Sequence, residues 1–257
     1  MGMGAEFENR TGEWEMNEIL ESLYRRKSVR AFTEEQISPE DREAILQAAL
    51  QAPSAGCQLL YTILDITDQG KKEKLAELCD HQPFIAKDKL ALVFCADCRK
   101  WLSFYREAGL SPREPGAGDL LLAVEDAVIA AQNSVTAAES LGIGSCYIGD
   151  VMEHAEEMKG LLSLPAYVYP ACMLVFGHPT GQQKERRKPE RFCISDIVCE
   201  NTYQDKTSDG IREMFAGKTG AQSFEAWMEA FWKRKYESEF SNEMNRSMEV
   251  YLKEFQK

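Results

Sequence analysis

The chain reads as one mixed α and β domain, on three observations. Four short apolar runs, at 60–67, 89–97, 145–149 and 171–177, have the length of strands and are separated by longer stretches of helical spacing. A run of unusual apolarity, 119–141, is long enough for a central helix. No internal repeat or low-complexity tract interrupts the pattern, and 44% hydrophobic with 28% charged residues is an ordinary globular balance.

The elements follow in order. Residues 16–24 have helical character and lead into the basic turn Arg25-Arg26-Lys27-Ser28-Val29-Arg30 and the polar stretch FTEEQIS. Ser38-Pro39-Glu40-Asp41 is a helix start: a hydroxyl to cap, proline in the first turn, and acids against the positive end of the helix dipole. That helix should run to about Ala52 and stop before Pro53. The small-residue turn Pro53-Ser54-Ala55-Gly56 then precedes a strand at 60–67, a short helix at 71–80 and a buried strand at 89–97. SPREPGAG, at 111–118, is a loop.

The helix at 119–141 has the length to cross a bilayer. Glu125, Asp126, Gln132, Asn133 and Glu139 make a span untenable, so it belongs in the core or against another subunit. Gly142 and Gly144 end it. A strand at 145–149, a helix at 153–163 and a buried strand at 171–177 complete the domain, and an aromatic-rich helical tail runs from about 209 to 257. The opening MGMGAEFENRTGEWEMNEI is acidic and lacks an apolar core, so it is no signal peptide. Residues 1–15 are taken as a leader, added or disordered, and 16–257 as the domain with its helical C-terminal extension.

A formal net charge of −12 argues against nucleic acid and against an anionic membrane as partners. Against that background the four cations of residues 25–30 need a local reason. They can hold an anion beside the Ser28 hydroxyl, or they can be a solvated run before a loop. A second basic segment, Lys184 to Arg191, follows the last buried strand and the loop Gly177-His178-Pro179, and both could converge on one multiply charged anion. Gly142-Ile143-Gly144-Ser145-Cys146 is no dinucleotide fingerprint, and there is no P-loop. Eight cysteines at irregular spacing read as reduced thiols of a cytoplasmic protein. The lone CxxC, Cys95 to Cys98, starts inside an apolar run and is expected in the core without a redox or metal role, and Cys57 is expected as a buried structural thiol. The three histidines show no ligand spacing, and no metal site is expected.

In this order, RRKSVRAFT, APSAGCQ, CDHQPF, AAESLGIGSCYIGDV, FGHP and RRKPERF closely resemble the flavin-dependent nitroreductase family. Within it, the similarity points to the NADPH-linked, oxygen-insensitive nitroreductase and flavin reductase branch, from about residue 17 to the C-terminus. The resemblance implies an α+β fold with a mostly antiparallel sheet between helices. It also implies an intertwined homodimer with FMN at the subunit interface, the segment 193–203 crossing to the partner's sheet. Hydride would pass from NADPH or NADH through flavin N5 to nitroaromatics, quinones or related two-electron acceptors, by a ping-pong mechanism and without a catalytic side chain.

By the same resemblance, Arg26, Lys27 and Ser28 would serve the FMN phosphate and ribityl chain. Arg30 would face the N1–C2=O edge, where a cation stabilises reduced flavin. Ser54 would contribute from the other subunit, and Gln82 would bond the pyrimidine edge. Tyr147, Ile148 and Gly149 would form the loop passing the ring, with a backbone N–H offered towards N5. Lys188 and Arg191 would close on the phosphate. Plain roles stay open: Gln82 as a loop residue, Tyr147 on a sheet face, Ser54 capping a turn. Two departures stand out. Asp150 occupies a position where relatives often have glycine, and 216–222 carries Lys218 as its only cation, so NADH use is plausible. A flavin reductase feeding free reduced flavin and a non-catalytic FMN carrier are the alternative readings.

Overall fold

The computed structural model describes residues 16–256; the leader expected at 1–15 lies outside them. Its centre is an antiparallel sheet of β1 (Tyr61–Asp65), β2 (Leu90–Asp97), β3 (Gly144–Ile148) and β4 (Val168–Gly177). The strand order is β1-β2-β4-β3. Every residue of β2 and β4 is buried, because helices cover both faces, and both strands therefore read as unbroken apolar runs. Pro170 has no N–H for the ladder. It sits opposite Cys95, where the register slips between Phe94 and Cys95.

On one face lie α2 (Pro39–Leu50), α5 (Ala117–Ser140) and α11 (Glu239–Leu252), packing Ile45, Ala127 and Tyr251 against Leu92, Phe94 and Leu174. The other face is covered by α3 (Gln69–Leu78) and α6 (Ala155–Leu162), through Leu75 and Met158, with Ile85 of the loop after α3. Ser38 caps α2 as expected, its Oγ accepting the Asp41 N–H at 3.0 Å. In α5 a column of alanines (123, 127, 130, 131, 138) is buried and admits close approach of α2 and the sheet. Asp126, buried among them, accepts the backbone N–H groups of Ala55 (2.9 Å) and Leu60 (3.0 Å). This carboxylate in mid-helix staples the 54–60 loop, and α5 is a core helix despite its apolar length.

Some elements differ from expectation. A helix α4 (Arg99–Glu107) stands where none was expected, and the tail from 208 is three helices: α9 (Ser208–Phe215), α10 (Phe224–Lys235) and α11. Short helices α7 (Gly181–Glu185) and α8 (Ile194–Ile197) punctuate the stretch between β4 and α9. Phe192, Phe215, Phe224, Trp227 and Phe231 stack edge to face or face to face into a separate aromatic cluster, which anchors this tail. Between them Ile194 (73% exposed), Ile197 (65%) and Tyr203 (86%) project from the chain.

Candidate functional site

The site grows from the free edge of β3. Helix α1 (Glu18–Arg25) ends at Arg26, whose extended backbone turns the chain alongside that strand. The Val29 N–H donates to Ser145 O at 2.8 Å, and Ser28 and Ser145 form an isolated parallel bridge. Two glycines make this seat possible. A Cβ at Gly144 would lie 2.6 Å from Val29 Cγ2, and one at Gly177 would lie 2.7 Å from the Phe32 ring. Both positions require a bare backbone for steric reasons.

The second basic segment is tied onto the first. Lys27 Nζ donates to Lys184 O at 2.7 Å and to Arg186 O. Arg186 Nη2 donates to Ser28 O. Lys188 Nζ donates to Leu23 O (3.0 Å) and Tyr24 O (2.7 Å), the exposed carbonyls at the negative end of α1. Partial burial, then Arg191 and Arg26, push the Lys188 ammonium below its ordinary range, so three cations share this corner. Two of the donors gathered here are buried without an acceptor: Arg26 Nη1 and Arg186 Nε. A buried guanidinium N–H left unbonded costs about 1–3 kcal/mol or more. Both donors fit an anion with several oxygens, which would restore those bonds.

The residues expected at the flavin ring lie beside this corner. Arg30 donates its backbone N–H to Gln183 Oε1 at 3.3 Å, and its side chain acts on both Cys146 and Asp150. Tyr147 is half-buried and donates its hydroxyl to Gln132 Oε1 at 3.4 Å; burial pushes its phenol up, against the influence of Arg26. Ile148 is buried in the core and Gly149 is exposed at the strand's end. Past it, Asp150 opens a 3-10 turn to Met152 and accepts from Gln82 Nε2. The same Nε2 donates to Cys79 O at 2.9 Å. Burial pushes the Asp150 carboxyl up, Asp80 adds to that, and Gln82, Lys235 and Arg30 act in the opposite sense.

The fold thus brings Arg26, Lys27, Ser28, Arg30, Gln82, Tyr147, Ile148, Gly149 and Lys188 into one neighbourhood. The Lys27 and Lys188 ammonium groups are engaged by backbone carbonyls. Arg191 is exposed and acts on Lys188 only through space. Ser54 is not drawn in: its Oγ accepts the Leu59 N–H at 3.0 Å within the loop that Asp126 pins. Sequence reasoning passed over Arg186, which lay in the quoted motif but looked equivalent to its neighbours. It also passed over the buried Glu153, whose carboxyl is pushed up to about 7 by burial and by Asp150, Asp80 and Glu243.

The thiols divide cleanly. Cys95 and Cys98 are buried, unpaired and pushed up to about 12 by desolvation, which leaves neither as a reactive thiolate. Cys57 corrects the expectation of a buried thiol. It is exposed, at φ 57°, directly after Gly56 at φ 58°. Two consecutive left-handed residues turn the loop outward there. Among the described residues no group of acids, histidines and cysteines could hold a metal ion.

The α+β domain thus joins two basic segments at one end of β3, with buried donors free for an anion, and leaves the strand's other terminus open. Comparison with known proteins makes this specific. The Nitroreductase family profile matches residues 23–178, and the chain belongs to that family. It is 36% identical over 189 residues, 74% of this chain and 76% of the other, to the oxygen-insensitive NADPH nitroreductase of Salmonella typhimurium. It is 28% identical over 255 residues, 94% and 97% of the two chains, to the FMN reductase (NADPH) of Bacillus subtilis. Among solved structures, NADPH:FMN oxidoreductase from Vibrio harveyi complexed with NAD+ superposes with a TM-score of 0.77 at 27% identity, covering 92% of this chain and 98% of that one.

Proposed function

We infer that the protein is an FMN-dependent oxidoreductase that takes a hydride from NAD(P)H and delivers it to nitroaromatic, quinone-like or related two-electron acceptors. The observation that carries this reading is the pair of buried, unpartnered guanidinium donors, Arg26 Nη1 and Arg186 Nε, where the two basic segments meet. A terminal phosphate on a flavin ribityl chain matches that corner in charge and in acceptor count. When bound, FMN supplies reversible two-electron exchange at N5.

The side chains do the rest. Arg26 and Arg186 would hold the phosphate, while Lys27 and Lys188 keep the corner assembled. Ser28 would meet the ribityl chain. Arg30 would place positive charge at the N1–C2=O edge, lowering the cost of the reduced ring. The exposed end of β3 at Gly149 leaves backbone at the ring without a side chain in the way.

Two further features complete the proposal. Ile194, Ile197, Val198 and Tyr203, and Leu121, Leu122, Val128 and Ile129 on α5, are exposed apolar side chains that a second copy would cover. In that homodimer Ser54 would reach the partner's FMN. Lys218 already donates to Glu190 O at 3.3 Å and lies 4.5 Å over the Phe192 ring, so it is not a free cation for a ribose phosphate. NADH should therefore serve as well as NADPH. Eight unpaired cysteines suit a cytoplasmic setting.

The flavin reductase reading is favoured by the near full-length similarity to an FMN reductase. Both are tested on one sample. The purified protein should be yellow, run as a dimer on light-scattering chromatography, and bleach on adding NADH or NADPH. A colourless protein that takes up no FMN would sink the assignment. Parallel assays with a nitroaromatic and with free FMN separate the two activities, a strong preference for free FMN deciding for the flavin reductase. Bound FMN that bleaches only slowly would make the protein a carrier.

A further inference from the structure

We propose that Asp150 is a positioning residue that locks the Gln82 amide so that its oxygen, and not its NH2, faces the FMN pyrimidine edge and accepts from flavin N3–H. The inference rests on the FMN reading above and adds a residue to it. A glutamine amide has two N–H donors on one end and an acceptor oxygen on the other. Here both donors are committed, one to Cys79 O at 2.9 Å and one to Asp150 Oδ2. Both partners are acceptors. A flipped amide would set its oxygen lone pairs against a carbonyl and a carboxylate together, forfeiting two hydrogen bonds and adding repulsion. The orientation is therefore decided by the neighbours.

The neighbours are themselves fixed. Asp150 opens the turn after β3, and its backbone carbonyl accepts the Glu153 N–H at 3.0 Å. Gln82 is held through its own backbone, its N–H donating to Ala76 O at 2.9 Å and its carbonyl accepting the Ile85 N–H at 3.1 Å. Asp150 Oδ2 is the acceptor in this geometry; burial and Asp80 push its carboxyl up, while Gln82, Lys235 and Arg30 act towards the ionised form. Among the described residues Gln82 Oε1 takes no hydrogen bond. The flavin pyrimidine edge offers two carbonyl acceptors and a single donor, N3–H. Only that donor complements a presented oxygen. The Asp150 carboxyl thus turns a two-faced side chain into a one-way acceptor.

The test compares FMN with N3-methyl-FMN, which lacks the donor, by fluorescence titration of the apoprotein. Wild type should bind N3-methyl-FMN about tenfold or more weakly than FMN, the size of one lost hydrogen bond at a committed acceptor. In Asp150→Ala the amide can rotate, and the ratio should fall towards one. Asp150→Asn retains an acceptor oxygen and should restore it. A ratio unchanged in Asp150→Ala would mean that steric exclusion, not the oriented oxygen, discriminates, and would overturn the proposal. Should Asp150→Ala fail to fold, 15N-labelled FMN bound to wild type answers the same question: a slowly exchanging N3–H resonance supports the proposal, and a rapidly exchanging one refutes it. Binding of neither flavin would instead remove the FMN reading itself.

Discussion

Glu153 is 4% exposed, its Oε1 has no partner, and three other carboxylates act on it. Its carboxyl, pushed up to about 7 in the folded protein, stays protonated where the unfolded chain has already lost the proton near 4.5. The sign follows. Because the folded state binds more protons between these values, stability falls as pH rises from about 4.5 to about 7 and then levels. At about 1.4 kcal/mol per pH unit, the gap is about 3 kcal/mol of stability absent at pH 8. Glu153→Gln keeps the shape and removes the titration. It should match wild type at pH 4.5 to 5 and exceed it by about 3 kcal/mol at pH 8, or about 6–12 °C in melting temperature. The carboxyls of Glu156 and Glu243, held down to about 2 by Arg246, are common to both proteins and cancel in the difference. Thermal melts from pH 5 to 8, with and without saturating FMN, provide the measurement. An advantage that does not grow with pH, or a variant less stable at pH 8, would refute the reasoning.

The remaining predictions concern the corner and its frame. Arg186→Ala should weaken FMN binding by roughly ten- to a hundredfold, as for a charge-assisted bond, with a shallower salt dependence; equal affinity in a fluorescence titration would exclude Arg186 from the phosphate. Gly144→Ala forces a methyl against Val29 and should cost about 1–3 kcal/mol in a urea titration while loosening FMN, because the strip carrying Ser28 must lift from β3. Iodoacetamide on the native protein should modify the exposed Cys57 in preference to Cys79, Cys95, Cys98, Cys146 and Cys172, read by peptide mass spectrometry. Quick labelling of Cys95 would contradict its burial in β2.

The strands were legible where burial is complete. β2 and β4 show as apolar runs because neither face meets water, and Ser38-Pro39 announced α2 by cap chemistry alone. Helix α4 was hidden: Arg99–Glu107 buries only Leu102, so charges and aromatics mask its apolar stripe. At the site, the motif residues identified the neighbourhood but not the division of labour. Arg186 and Lys188 are both cations two positions apart. What separates them is reach, to Ser28 O with Nε left buried and unbonded for one and to the α1 carbonyls for the other, and reach is a tertiary property. Gln82 and Asp150 are 68 residues apart, so their bond has no local signature. Ser54 is held in the loop that Asp126 pins through Ala55 and Leu60, and its expected role needs a second chain that no single-chain geometry supplies.

The clasp between the two basic segments has a consequence for tolerance to sequence change. Lys27, Arg186 and Lys188 all donate to main-chain oxygens: Lys184 O and Arg186 O, Ser28 O, and Leu23 O with Tyr24 O. A main-chain oxygen is present whatever residue carries it. Leu23 and Lys184 can therefore be exchanged without loosening the clasp, provided the backbone follows the same path. The three donors have no such freedom. Across variants of this protein, the corner should remain assembled through drift at its acceptor positions and fail abruptly on loss of a single lysine.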